Sequence, residues 1–294
     1  MPASARPRRS VLYMPGSNPR ALEKGRTLSA DVLILDLEDA VAPDAKAAAR
    51  TNIAAALAEG GYGKREILVR VNALDAPWGR EDLSDLASCG ADGILLPKVE
   101  SADAVRKALS ILDAAGGPAD LAIWCMIETP MGVLHAEEIA AASPRMAGFV
   151  MGTSDLAKEL HCLHTPQRLP FMISLNHVVL VARAYGLAAL DGVHLDLSDD
   201  QGFTESCQQG LELGFDGKTL IHPKTIDQAN QTFGPNAQEV ESSKEIIAAF
   251  EEAQSAGKGV VVLNGKLVEN LHVENARRIL TLAQMIEDLS TEKE

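Results

Sequence analysis

Aromatic residues are scarce in this chain: Phe, Tyr and Trp together make up 4% of 294 residues. A core built without them relies on Ala, Leu, Ile and Val, as suits helices packed on strands, and an apolar content of 46% is ample for one large core. Cysteine is thin as well. Cys89, Cys125, Cys162 and Cys207 lie far apart with no C-x-x-C pair, which argues against a disulfide framework and a cysteine-rich zinc site. They read as reduced core residues, not nucleophiles. No apolar run approaches the roughly 20 residues of a membrane span. After "MPASARPRRS", the segment "VLYMPGSNPR" lacks the sustained apolar stretch of an export signal. A cytoplasmic protein without a membrane partner is expected. An excess of positive charge is missing too. The formal net charge is −14, which disfavours nucleic acid and anionic membranes as partners. An anionic small substrate stays open, given a locally basic pocket.

What is present is an alternation. Short apolar runs near Val11 to Tyr13, Val32 to Leu35, Ile67 to Val71, Ile94 to Leu96, Ala122 to Ile127, Gly148 to Met151, Ala188 to Leu190 and Thr219 to Ile221 read as strands. Between them stand Ala- and Leu-rich stretches with apolar residues at helical spacing, such as "SADAVRKALSILDAAGG". Strand then helix, repeated eight times, predicts an α/β fold with a parallel sheet closed into a TIM (β/α)8 barrel, a fold of about 250 residues. Residues 1–255 are assigned to this barrel. The remainder, 256–294, reads as a C-terminal lid or oligomerisation segment: a strand, an Asn264-Gly265 hairpin turn, a second strand and a helix.

The strand ends carry the chemistry. "DVLILDLEDAV" runs from a greasy strand into Asp36, Glu38 and Asp39, and other strands end at Arg70, Pro97-Lys98, Glu128, Gly152 to Asp155, Asp191 and His222-Pro223. In such barrels the site is built at the carboxyl ends of several strands, so the "DLED" carboxylates are expected to share a pocket with Arg70, Lys98, Glu128 and Asp155. Acidic residues also favour helix N-termini, which accounts for Asp44 and Asp39 without chemistry. That does not account for Arg70 and Glu128, whose strands are otherwise apolar. Glu128 and Asp155, from strands five and six, form a carboxylate pair of the kind that holds Mg2+ with waters and an oxygen-rich substrate. Arg70 is placed to hold a carboxylate or a developing enolate oxygen. His161 and His164 in "HCLH" lack a second pair of ligands and read as surface residues.

"RRSVLYMPGSNPRALEKG", "DVLILDLEDAVAPDAKAAAR", "ILVRVN", "GILLPKVE", "IET", "GTSDLA", "GFDGKTLIHPKTI" and "GKLVENLHVENARRIL", in this order, resemble the citrate lyase beta subunit-like family of the HpcH/HpaI aldolase superfamily, relatives of malyl-CoA and citramalyl-CoA lyases. The resemblance runs from Arg9 to about Leu280. It implies a Mg2+-dependent carbon-carbon lyase that cleaves or forms a short 3-hydroxyacyl-CoA from an acyl-CoA and a 2-oxo acid. Glu128 and Asp155 would bind the metal, with Glu128 also touching substrate, and Arg70 would contact the ligand and the enolate oxygen. Tyr13 and Lys24 would help hold CoA, Ile221 and His222 would line the pocket, and Glu38 and Asp39 would stand behind the metal or orient Arg70. A homo-oligomer, a trimer or a dimer of trimers, is also implied. Two positions depart from the family pattern. Glu269 of "GKLVEN" stands where the lid usually carries an Asp acid/base, and Asn18 stands where malyl-CoA lyases tend to carry an Arg. The first departure keeps two further readings open: a thioesterase, and a carrier-dependent subunit of a citrate lyase complex.

Overall fold

The computed structural model describes residues 6–291. Eight parallel strands close into a barrel in chain order: β1 (Ser10–Pro15), β2 (Val32–Asp36), β3 (Glu66–Arg70), β4 (Gly93–Leu96), β5 (Ala122–Ile127), β6 (Met146–Met151), β7 (Ala188–Asp191) and β8 (Gly217–Leu220). All eight coincide with the expected strands. Most are short apolar runs, and all eight, β8 with its Lys218 included, are almost entirely buried, as a parallel sheet covered by helices requires.

Local signals set the helix boundaries. The Asn18 side chain accepts from the Ala21 amide and caps Pro19–Gly25, so the residue that departs from the family pattern serves as a helix cap. Ser101 and Asp199 cap Ala102–Ala114 and Asp200–Leu213 in the same way. The latter helix ends at Gly214, whose φ of 94° is one that glycine adopts without strain.

The period of two along each strand decides what faces the barrel interior. Val11, Ile34, Leu68, Trp124, Met126, Val150 and Leu190 form one buried cluster there, with Tyr13 packed against it. Continuing those rows by two residues brings Asp36 after Ile34, Arg70 after Leu68, and Glu128 after Met126. The same charged residues thus cap the apolar core at its carboxyl end. Asp191, which directly follows inward Leu190, points to the other face. There it receives hydrogen bonds from Arg168 Nη1 (2.7 Å to each oxygen) and from Lys218 Nζ (2.8 Å). Asp191 and Lys218 are completely buried. Burial works against both charges; it holds the Lys218 ammonium below its ordinary range, while Lys218 and Arg168 outweigh it at Asp191 and keep that carboxyl low. Asp191 is a strand-end charge that belongs to the packing between sheet and helices and not to the shared pocket.

Residues 8–232 form one compact unit, and those from 233 onward form a second. This differs from the expected division at 255/256. The helix Ala237–Ser255, opened by a capping box of Asn236 and Glu239, packs on the C-terminal helix Asn270–Thr291. Phe250, Val268 and Val273 form their core, so this helix belongs with the C-terminal segment and the boundary falls before it. The expected hairpin is present as β9 (Val261–Leu263) and β10 (Lys266–Val268), antiparallel, and its turn has positive φ at both Asn264 (50°) and Gly265 (77°).

Gly148 offers a test of the packing. A Cβ added there would lie 2.3 Å from Trp124 Cζ3 and 2.8 Å from the Ala188 carbonyl oxygen. Gly148→Ala is expected to lower the unfolding free energy by roughly 1–3 kcal/mol, read as a lower urea midpoint at unchanged slope.

Candidate active site

Arg70 is the centre of the barrel mouth. Its Nε and Nη2 donate to Asp36 Oδ1 and Oδ2 at 2.7 and 2.6 Å, a bidentate pair between adjacent strands in which Asp36 and Arg70 are register partners. Asp36 also accepts from the amides of Glu38 (2.8 Å) and Ala40 (3.1 Å), so the carboxylate that fixes Arg70 also folds the turn after β2. Nη1 lies 2.8 Å from Glu38 Oε2, without the alignment of a hydrogen bond, and 3.6 Å from Asp39. The Tyr13 ring stands 4.7 Å from the guanidinium. Burial works against the Arg70 charge, and Asp36 more than offsets it, so the guanidinium stays charged at every working pH.

On the far side of the mouth, Glu128 is almost fully buried and accepts from the Lys98 amide at 2.7 Å. Burial first, and then the charge of Glu38, pushes its carboxyl up to about 7, with Asp155 adding to the rise. The Lys98 side chain donates to Glu38 Oε1 at 2.6 Å and lies 3.8 Å from Asp155 Oδ2. Gly152 keeps this corner open: a Cβ there would lie 2.3 Å from Glu128 Oε2. Lys46 closes the arrangement from behind, donating to the carbonyls of Leu37 and Glu38 at 2.8 and 2.7 Å.

Six expected site residues therefore gather at one mouth: Tyr13, Glu38, Asp39, Arg70, Glu128 and Asp155. Lys24 stands exposed on the helix after β1, with no side-chain contact to the group. Ile221 and Thr219 line a neighbouring cleft of about 270 Å³, counting space open to solvent, together with His194, Phe203 and Lys224. His222 accepts from the Lys224 amide through Nδ1 and caps the turn after β8. Glu269 precedes the C-terminal helix, where its amide donates to His272 Nδ1 at 3.1 Å. Asp36 and Lys98, both expected at the shared pocket, are there too, and Lys46 completes the site beyond the expected residues. Asp36 was legible as the register partner of Arg70. Lys46 had no such signal, because it sits a helical turn beyond "DLEDAV".

Among the described residues, no group of three or more His, Cys, Asp or Glu side chains is placed to form a complete metal cage. Glu128 and Asp155 supply hard oxygen donors from two strands, and a cation held by two carboxylates keeps waters or takes ligand oxygens, the manner of Mg2+. The raised carboxyl of Glu128 records burial first and then the nearby charges of Glu38 and Asp155, which a divalent ion would offset, so the residues fit such an ion.

A family model described as HpcH/HpaI aldolase/citrate lyase matches residues 9–223. The (3S)-malyl-CoA thioesterase of Cereibacter sphaeroides is 48% identical over 286 residues, covering 97% of this chain and 98% of that protein. The L-malyl-CoA/beta-methylmalyl-CoA lyase of the same organism is 37% identical, with 97% of each chain covered. Among solved structures, the CitE protein of Mycobacterium tuberculosis in complex with magnesium, acetoacetate and coenzyme A superposes with a TM-score of 0.74 at 29% identity, over 95% of this chain and 98% of that one.

The Glu128 environment predicts a pH dependence in the metal-free protein. The unfolded carboxyl titrates near 4.5 and the folded one near 7, so between these values the folded state holds the extra proton, and stability falls as pH rises through that window. Glu128→Gln should abolish a decline of roughly 2–3 kcal/mol between pH 4.5 and 7, measured by urea unfolding in the presence of chelator. An unchanged pH profile in the variant would refute the assignment.

Proposed function

The chain belongs to the HpcH/HpaI aldolase/citrate lyase family, and on that premise we propose that it hydrolyses a short 3-hydroxyacyl-CoA thioester of the malyl type to the hydroxy acid and free coenzyme A. The observation that carries the reading is the permanently charged Arg70 guanidinium, pinned by Asp36 at the barrel mouth that also holds Glu128 and Asp155, with Glu38 and Lys98 between them. What favours hydrolysis over carbon-carbon cleavage is the 48% identity to a malyl-CoA thioesterase over nearly the full length of both chains, against 37% to a malyl-CoA lyase.

In this reading Glu128 and Asp155 would hold Mg2+, and Arg70 would face the thioester carbonyl. When bound, the ion supplies Lewis-acid polarisation of the hydroxy acid oxygens. Negative charge that develops on the thioester oxygen is stabilised by Arg70, which needs no reorientation because Asp36 fixes two of its nitrogens. Tyr13 keeps the guanidinium plane in place from the apolar side and acts through Arg70. A carboxylate must take the proton from the attacking water and return one to the departing thiolate; Glu269 is the residue assigned that role. Lys24 remains assigned to the coenzyme A phosphates, its exposed ammonium being free to meet them.

Carbon-carbon lysis is the second reading, favoured by the carboxylate retained at Glu269. There a base takes the hydroxyl proton, the bond to the thioester α-carbon breaks, and the electron pair moves into an enolate that Arg70 stabilises. Glu269 then delivers a proton to that carbon. Either way the site requires the same charge at the same oxygen.

The same reading takes the protein as a homo-oligomer. Leu134, Leu163, Leu169, Ile173 and Leu180 are each at least 68% exposed, apolar side chains that self-association would cover. Light scattering should give a trimer or a multiple of it; a monomer at all concentrations would overturn this part.

Incubating the protein with Mg2+ and malyl-, methylmalyl- or citramalyl-CoA should release free thiol with the hydroxy acid intact. Release of a 2-oxo acid with no free thiol would replace hydrolysis by the lyase reading. Arg70→Lys keeps the charge and loses the fork, and should lower kcat about 100-fold. Glu269→Gln with full turnover would remove Glu269 from proton transfer.

A further inference from the structure

Lys98 meets the acidic cluster with both its main chain and its side chain. It is one of the few non-glycine residues with positive φ (50°), a left-handed conformation that an L side chain adopts only when its surroundings impose it. That conformation accompanies an amide that donates to Glu128 Oε1 at 2.7 Å. The same residue sends its ammonium to Glu38 Oε1 at 2.6 Å, within 3.8 Å of Asp155 Oδ2. One lysine therefore contacts both carboxylates given above to the metal, and also Glu38, whose other oxygen lies against Arg70. The neighbouring cations are engaged elsewhere: two nitrogens of Arg70 are held by Asp36 and its third lies against Glu38, and Lys46 donates to two main-chain carbonyls.

We propose that Lys98 is the built-in counter-cation of this cluster. Its main chain positions Glu128, while its ammonium neutralises Glu38 and Asp155 when no divalent ion is bound and competes with that ion, so that Mg2+ is held exchangeably and not permanently. The inference rests on the reading that Glu128 and Asp155 ligate Mg2+. A purely structural lysine would have the opposite effect on removal: the carboxylates would loosen and the metal would bind more weakly. Loss of a competing cation tightens the metal instead. The sign of the change separates the two roles.

The test is calorimetric titration of the chelator-treated full chain with magnesium chloride. Lys98→Met should bind Mg2+ about tenfold more tightly than the unaltered protein, the scale expected for one charge removed at this distance in a partly screened site. Lys98→Gly keeps the main-chain donor and relaxes the positive φ, so it should fold even where the methionine variant does not, and it should show the same tightening. Lys98→Arg, which keeps the charge, should stay within about threefold of the unaltered protein. Unchanged or weaker binding in both neutral variants overturns the inference. Glu128→Ala distinguishes a failure of the underlying reading: if Mg2+ affinity survives that change, the ion is not held by Glu128, whatever the lysine variants do. Absence of Mg2+ binding in every protein tested overturns both.

Discussion

The Arg70–Asp36 pair organises the barrel mouth. Two register partners on adjacent strands exchange two charge-assisted hydrogen bonds, and the remaining acceptor capacity of Asp36 is taken by the amides of Glu38 and Ala40. That single carboxylate therefore determines where the guanidinium points and how the chain turns after β2. Glu38 follows from that turn, and through Glu38 the ammonium of Lys98 is placed. A buried ion pair of this kind contributes little net stability, because desolvation offsets much of the attraction. Its value here is directional: the charge is fixed before any ligand arrives, which is the condition for electrostatic stabilisation without reorganisation.

A second constraint is the alternation of side chains along the strands. Because Ile34, Leu68 and Met126 fill the interior, the next residue on each inward row must cap that core, and in this chain those residues are Asp36, Arg70 and Glu128. The apolar core and the polar site are thus consecutive layers of one packing scheme. The low dielectric below them is what raises the Glu128 carboxyl to about 7. Asp191 shows the converse. One residue out of phase, it lies on the opposite face, where Lys218 and Arg168 occupy its oxygens.

Much of this was legible in the sequence. Eight apolar runs separated by helical spacing are a strong signal, and each became a strand because nothing in the tertiary packing competes with that pattern. The gathering of Glu38, Arg70, Glu128 and Asp155 followed from the carboxyl-end rule. Less legible was the partition of roles among neighbouring charges. "DLED" reads as four residues of one turn, yet Asp36 is wholly buried and Asp39 largely exposed, a difference set by the phase of β2 and invisible in composition. The boundary of the second unit was missed because the helix Ala237–Ser255 carries its own caps, and only the contacts of Phe250 show which core it joins.

Against the Glu128 carboxylate lies the bare backbone of Gly152, where a single methyl group would collide with Oε2. A relative that kept every charged residue of this mouth but carried alanine at 152 would have no room for its own glutamate, so the missing side chain is as much a part of the site as the charged ones.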